Sequence, residues 1–276
     1  MPKRLTPKQI EDYARDGVCY PIRTVDAHAA AELRRSLEAA ELALGGPIAG
    51  NLRHKSHLVF PWLADLVAHP LLLDAVEDLI GPDILVWSSN LFVKEAHDPS
   101  FVSWHQDSTY WGLSEAAAVT AWVAFSPSTR ESGCLRVSPG SHRFDELPHL
   151  DNPTALNLLT RGQEVQVAVN EAEAIDVVLS PGEMSLHHVR AVHGSEPNRS
   201  DDRRIGFAIR YIPTRVRQRA GRDFATLVRG EDAYRHFEPE PRPIGELDPA
   251  AVATHAEIMR VVTATLLQGA SRQNLR

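Results

Sequence analysis

Between Ile84 and Ile212 the sequence is cut into short runs rich in β-branched and aromatic residues, at 84–94, 117–125, 134–137, 164–169, 175–179, 183–188 and 204–212. Turn clusters stand between them, including Pro127-Ser-Thr129, Ser138-Pro-Gly-Ser141, Pro181-Gly182 and Pro197-Asn-Arg-Ser200. β-branched and aromatic side chains fit a half-buried pleated surface, whereas proline, glycine and asparagine supply the dihedral angles that reverse the chain. Seven or more such strands predict two packed sheets in a jelly roll. No period of about 20 to 50 residues recurs, which argues against a solenoid or propeller.

The residues before these strands carry helical periodicity. Thr6, Pro7 and Gln9 form a capping pattern ahead of Ile10, Tyr13 and Ala14, and Gly17 stops that helix. Asp26 caps a second helix that runs to Leu44 and ends at Gly45-Gly46. From Trp62 to Ile80 the pattern is one or two helices, broken near Pro70 and closed by Gly81. After Pro213 come Arg215, Arg217, Arg219 and Arg222, then a proline-rich stretch at 238–243 and a last amphipathic helix from about Pro249 to Leu267. The expected fold is mainly β with flanking helices, a double-stranded β-helix of the cupin-like jelly-roll kind. One domain is expected over 1–276, with a helical layer at 1–83, a jelly-roll core at 84–214 and a C-terminal extension at 215–276.

Composition removes several function classes. An apolar fraction of 43% and a net charge of −7 describe a globular chain with no broad attraction for nucleic acid or an anionic membrane. The longest apolar stretch, Ala116 to Phe125, is half of the roughly 20 residues a bilayer span needs. Cys19 and Cys134 are too few for a disulfide framework or a zinc-thiolate site, and the N-terminus has no signal-peptide core, so a cytoplasmic location is expected. The partner expected is a small molecule, acted on by a monomer or homodimer.

Chemistry concentrates in Trp104-His-Gln-Asp107. In an extended strand His105 and Asp107 point to one face and present an imidazole and a carboxylate to one point. A second histidine would complete the facial triad that suits non-haem Fe(II) and leaves coordination positions open. His142, His187, His188 and His193 are candidates; of the adjacent pair His187 and His188, at most one faces inward. His193 precedes a polar turn in an apparent hairpin, whose returning strand brings Arg203 or Arg204 near the metal. An arginine there could grip the far carboxylate of a keto-diacid.

These motifs resemble the phytanoyl-CoA dioxygenase family, Fe(II)- and 2-oxoglutarate-dependent oxygenases. The resemblance runs from about Leu5 to Thr214 and includes Tyr13-Ala-Arg-Asp-Gly17, Trp104-His-Gln-Asp107, Ala121-Trp-Val-Ala-Phe125, the stretch from Gly133 to His142, and His193-Gly-Ser with Arg204 behind it. It implies His105, Asp107 and His193 as iron ligands and Arg204 as the partner of the cosubstrate's distal carboxylate. Ser195, Trp122 and Lys94 match positions lining the cosubstrate pocket. The reaction implied consumes O2 and 2-oxoglutarate, releases succinate and CO2, and hydroxylates an unactivated C–H bond. Family members that halogenate have a small residue in place of the carboxylate ligand, so Asp107 points to hydroxylation.

For the substrate side, Arg53, Lys55 and His57 form a basic loop, read either as a lid for an anionic substrate or as a solvated turn. Tyr110 and Trp111 are read as pocket lining or core, and Asn198 as a substrate contact or a turn-holder. The substrates considered are amino acid derivatives, betaines or phosphonates, natural-product intermediates, and acyl-CoA or carrier-bound molecules. Two other readings share the ligands: a jelly-roll binding or sensor protein without turnover, and a zinc hydrolase.

Overall fold

The computed structural model of the chain describes residues 2 to 266 apart from 152, 153, 155, 160 and 161; the side chains of residues 110 and 266 are also outside the description. Among the described residues thirteen strands occur in chain order: β1 Val18–Arg23, β2 Ile84–Lys94, β3 Val102–His105, β4 Val119–Ala124, β5 Leu135–Val137, β6 His149–Asp151, β7 Gln163–Val165, β8 Ile175–Val177, β9 Glu183–His188, β10 His193–Ser195, β11 Arg204–Pro213, β12 Phe224–Arg229 and β13 Glu238–Pro239. The helices are α1 Pro7–Asp16, α2 Ala27–Leu44, α3 Pro61–Val67, α4 Pro70–Ile80 and α5 Pro249–Leu266. A seven-stranded sheet in the order β1-β9-β4-β11-β2-β12-β13 faces a four-stranded sheet in the order β3-β10-β5-β8, and β6 pairs with β7 apart from both.

The helical starts follow the capping chemistry. Thr6 accepts from the Gln9 amide while the Gln9 side chain reaches back to Thr6, and Gly17 leaves α1 in the left-handed region at φ 80°. Asp26 caps α2 through the Ala29 amide. Pro70 begins α4 at its first turn, so the segment after Trp62 is two helices. None of the described helices is long and apolar enough to cross a membrane.

Strand β11 determines where the core and the cavity lie. It pairs with β4 on one side and β2 on the other. Ile205, Phe207, Ile209 and Tyr211 turn to one face and pack with Leu37, Phe60, Leu63, Leu72 and Val76 of the helical layer. Ala208 turns to the other face, toward Trp122, Leu135, Val137 and Val177 between the two sheets. This is the period-two division expected of a strand buried on both sides.

Three sequence expectations change. The strand and turn expected after His193 are not a hairpin, because β10 belongs to the small sheet and β11 to the large one. Asn198 fixes that crossing by donating Nδ2–H to the carbonyls of Glu95 and Asp202, each at 2.8 Å, and accepting from the Ser200 amide at 2.9 Å. The large sheet also continues beyond residue 214, since β12 pairs with β2. Finally, the basic loop turns inward. Lys55, at φ 46°, buries its ammonium against Glu240 at 2.5 Å and the carbonyls of Trp87 and Phe224 at 2.5 and 3.0 Å. His57 lies 3.4 Å from the same carboxylate and 2.8 Å from Ser89 Oγ. A buried ammonium needs a full set of acceptors, and here the C-terminal segment supplies the charged one.

Burial opposes ionisation of Glu240, but Lys55 and His57 outweigh it and hold the carboxyl down at about 2. Lys55→Met should cost about 3–5 kcal/mol, because it strands a buried carboxylate, while Lys55→Met with Glu240→Leu should recover most of the loss. A depressed carboxyl stabilises the fold above its ordinary value of 4.5 and ceases to do so as pH falls toward 2. Urea midpoints of the single and double variants at pH 7 and pH 3 should therefore differ most at pH 7.

Candidate active site

The small sheet brings two histidines side by side. His193 of β10 stands opposite His105 of β3 in the antiparallel register, with ring centroids 4.2 Å apart. Strand β3 ends at His105, and Asp107 lies in the following turn with helical backbone angles (φ −67°, ψ −35°). The turn, rather than strand alternation, brings the carboxylate back beside the imidazole, with Oδ1 3.5 Å from His105 Nε2. All three side chains are buried, and one ligand atom from each lies within 4.8 Å of the others; among the described residues no second group of three such donors occurs.

The backbone selects the tautomers. Nδ1–H of His105 donates to the Ser103 carbonyl and Nδ1–H of His193 to the Ala191 carbonyl, both at 2.9 Å. Each contact uses the carbonyl two residues earlier and leaves Nε2 as a lone pair directed inward, the arrangement metal-binding histidines require. Burial, with help from His105, holds His193 down at about 4, so the imidazole is neutral at neutral pH. Burial resists ionisation of Asp107, but the adjoining His105 and the positive charge of Arg210 hold its carboxyl well below the usual range. Two imidazole nitrogens and one carboxylate oxygen, all within 4.8 Å of one another, fit a divalent metal.

The same cavity between the sheets is lined by Arg204, Ser195 and Trp122. Arg204 is buried and makes no hydrogen bond or ion pair with another described residue; its Nε is fully enclosed, and its guanidinium lies 5.2 Å over the Trp122 ring. Burial pulls its pKa down to about 10. Lys94, pulled down to about 6 by burial and by Arg204, donates Nζ–H to Ser195 Oγ at 2.7 Å. A buried arginine with no carboxylate partner among the described residues, with Lys94 behind Ser195, makes one end of the cavity an anion receptor. Gly206 permits the stacking, because a Cβ there would stand 1.8 Å from the Trp122 ring. The neighbouring Arg203 points outward to Glu41 and Glu95 at 2.9 and 2.8 Å, as alternation along the strand requires.

Other expected residues lie elsewhere. Lys55 and His57 are engaged with Glu240 and are not part of the cavity wall, so the loop is not a lid. Arg53 is also absent from the cavity wall, donating to His54 Nε2 at 3.1 Å and to the Leu158 carbonyl at 3.3 Å. Asn198 is consumed by the turn described above. Trp111 packs on Trp87 with centroids 4.8 Å apart, in a small core cluster. The Tyr110 side chain falls outside the described residues. His142 and His188 pair with each other away from the cavity, whereas His187 lines it with a partnerless Nδ1. Sequence reading missed Thr120 and Arg210, which also line the cavity. Both were within reach of the period-two rule, since Thr120 is two residues before Trp122 and Arg210 six after Arg204.

A sequence profile described as phytanoyl-CoA dioxygenase (PhyH) matches residues 13–206, which contain all of these side chains except Arg210. The chain belongs to the PhyH family. Among solved structures it resembles a non-heme monooxygenase, ThoJ, in its apo form, at 37% identity and a TM-score of 0.84 over 94% of this chain and 97% of that one. It also resembles CytC3 with Fe(II) and alpha-ketoglutarate, at 26% identity and a TM-score of 0.62 over 87% and 99% of the two chains. A curated relative, a probable alpha-ketoglutarate-dependent hypophosphite dioxygenase of Stutzerimonas stutzeri, is 27% identical over 158 residues, covering 55% of this chain and 54% of that protein. The chain thus spans about half the length of the curated relatives it matches.

Gly206→Ala should displace the Trp122 ring from beneath Arg204 and destabilise the protein by about 1–3 kcal/mol, the usual range for an overpacked core position. A lowered melting temperature together with a changed intrinsic tryptophan emission would report it; an unchanged emission would mean that the ring does not depend on the glycine.

Proposed function

We propose that this PhyH-family chain is an Fe(II)- and 2-oxoglutarate-dependent oxygenase that hydroxylates an unactivated C–H bond of a small molecule. The balanced reaction joins substrate, O2 and 2-oxoglutarate and yields the hydroxylated product, succinate and CO2. One observation carries the reading: a convergent His105-Asp107-His193 donor set shares a cavity with the buried Arg204, which has no carboxylate partner among the described residues. Bound iron supplies the activation of O2, chemistry that no protein side chain provides.

The side chains account for placement. His105, Asp107 and His193 would hold the metal, with their orientation set in advance by the Ser103 and Ala191 carbonyls. Arg204 would present its fork to the distal carboxylate of 2-oxoglutarate, with Ser195 and Lys94 beside it and Trp122 bracing the guanidinium. The apolar walls, including Phe92, Leu135 and Ala208, limit water around the reacting centre. With Asp107 in place as a ligand, the expected outcome is hydroxylation. The substrate is proposed to be a small polar metabolite, and the buried, unpaired Cys19 and Cys134 suit a cytoplasmic location.

Anaerobic Fe(II) with 2-oxoglutarate should give the weak visible band of a chelated keto acid, and folded protein without that band would overturn the reading. Arg204→Ala should raise the KM for 2-oxoglutarate by about 100-fold, the scale of a lost charge-assisted contact, with activity partly restored at high cosubstrate. Lys94 adds a pH signature. Its pKa of about 6 in the free protein means that an arriving dianion must draw a proton onto the amine. Binding of 2-oxoglutarate should be strongest below about pH 6, weaken as pH rises, and take up protons at pH 7.5 in calorimetry; Lys94→Met should lose that dependence.

A further inference from the structure

Arg210 is a second arginine in the wall of the same cavity, half-buried with its Nε enclosed, and the proposed chemistry leaves it without a task. It lies on the face of β11 that carries Arg204, six residues further along, which is roughly 20 Å of strand. The two guanidiniums therefore sit at opposite ends of the site. The charge of Arg210 is felt by Asp107, whereas that of Arg204 acts on Lys94.

The hydrogen bonds of Arg210 are one-sided. Nη1–H donates to Asn90 Oδ1, while Nε is enclosed with no partner. No hydrogen bond or ion pair to a described residue leaves Nη2. The Nε–H and Nη2–H edge is the fork that holds a carboxylate or a phosphorus oxyanion through two parallel bonds. The rest of the residue is fixed. Its guanidinium lies 5.5 Å over the Trp111 ring, and the Asn90 amide lies against the His54 ring. His54 accepts at Nε2 from Arg53 at 3.1 Å. The connected group therefore contains two arginines joined by a neutral amide and an imidazole, with no carboxylate partner among the described residues.

Charge balance points the same way. In the loaded site the four positive charges of Fe(II), Arg204 and the protonated Lys94 already exceed the three negative ones of Asp107 and the two carboxylates of 2-oxoglutarate. The half-buried Arg210 then adds a further cation without a counter-charge, which is costly unless a ligand supplies the anion. Resting on the oxygenase reading, we propose that Arg210, braced by Asn90 and Trp111, receives an oxyanion group of the molecule to be oxidised, and that the substrates are small carboxylates or phosphorus oxyacids. The sequence-based expectation of an anionic substrate is thereby transferred from the Lys55-His57 loop to a strand residue in the cavity wall.

The test uses the anaerobic Fe(II) protein at saturating 2-oxoglutarate, so that the Arg204 end is already filled. Propionate and propionamide, and methylphosphonate and its dimethyl ester, serve as matched probes. Their binding is read from perturbation of the visible band and of tryptophan emission. Each acid should bind about 10- to 100-fold more tightly than its neutral twin, the scale of a charge-assisted bidentate contact. The stronger acid of the two identifies carboxylate or phosphorus as the preferred group. In Arg210→Gln the acid-to-neutral ratio should fall to about one, and Arg210→Lys, which keeps the charge without the fork, should fall between. Equal binding of acid and neutral probes by the unaltered protein would overturn the inference even if the variants fail to fold. So would an Arg210→Gln protein that keeps the acid preference, or one whose defect lies in 2-oxoglutarate affinity alone. Absence of the band in the unaltered protein would instead defeat the oxygenase reading itself.

Discussion

The alternation of side chains along β11 is the constraint on which both halves of the molecule depend. One face carries Ile205, Phe207, Ile209 and Tyr211 into the helical layer, and the other carries Arg204, Gly206, Ala208 and Arg210 toward the small sheet. A slip of one residue would drive two guanidiniums into the apolar layer and expose the core residues to the cavity. Pairing on both edges, with β4 and β2, makes such a slip expensive. The stability of the core and the placement of the cations are therefore enforced by the same ladder.

The opposing sheet contributes the donor set by a different device. Strands of three and four residues cannot position side chains by length, and here the positioning is local. A carbonyl two residues upstream orients each imidazole, and a tight turn returns Asp107 to their side. The cavity is thus assembled from a rigid, long-paired wall and a wall of short segments whose orientation is set by single hydrogen bonds. The first wall holds cations and the second holds neutral nitrogens and a carboxylate. The separation of charge across the gap is what allows a cation and a dianion to be accommodated together.

Much of this was legible in the residues. The helix caps, the Pro70 break, the short β runs and the His105-Asp107 pair with its candidate partner His193 all arise from local chemistry that a linear sequence displays. The choice between Arg203 and Arg204 followed from alternation and from family resemblance, and the ion pairs of Arg203 with Glu41 and Glu95 show the outward face of that choice. What escaped was long-range. Nothing near Lys55 announces that its counter-ion is Glu240, 185 residues later. The jump of the chain from one sheet to the other between His193 and Arg204 looks locally like a hairpin turn, since polar residues serve both. Arg210 was overlooked because an arginine within a hydrophobic strand reads as an edge or surface position until the neighbouring strands are known.

The Lys55–Glu240 contact divides responsibility for the two ends of the cavity. The end with Arg204 is made from β2, β4, β10 and β11. The end with Arg210 leans on Asn90 and His54, and His54 is adjacent to Lys55 and accepts at its carbonyl from His255 of α5 at 2.8 Å. Residues beyond the profile-matched region thus brace the Arg210 end and make no such contact with Arg204. A change in the C-terminal segment therefore has a physical route to the Arg210 end, through Glu240 and His255, that leaves the donor set and Arg204 in place.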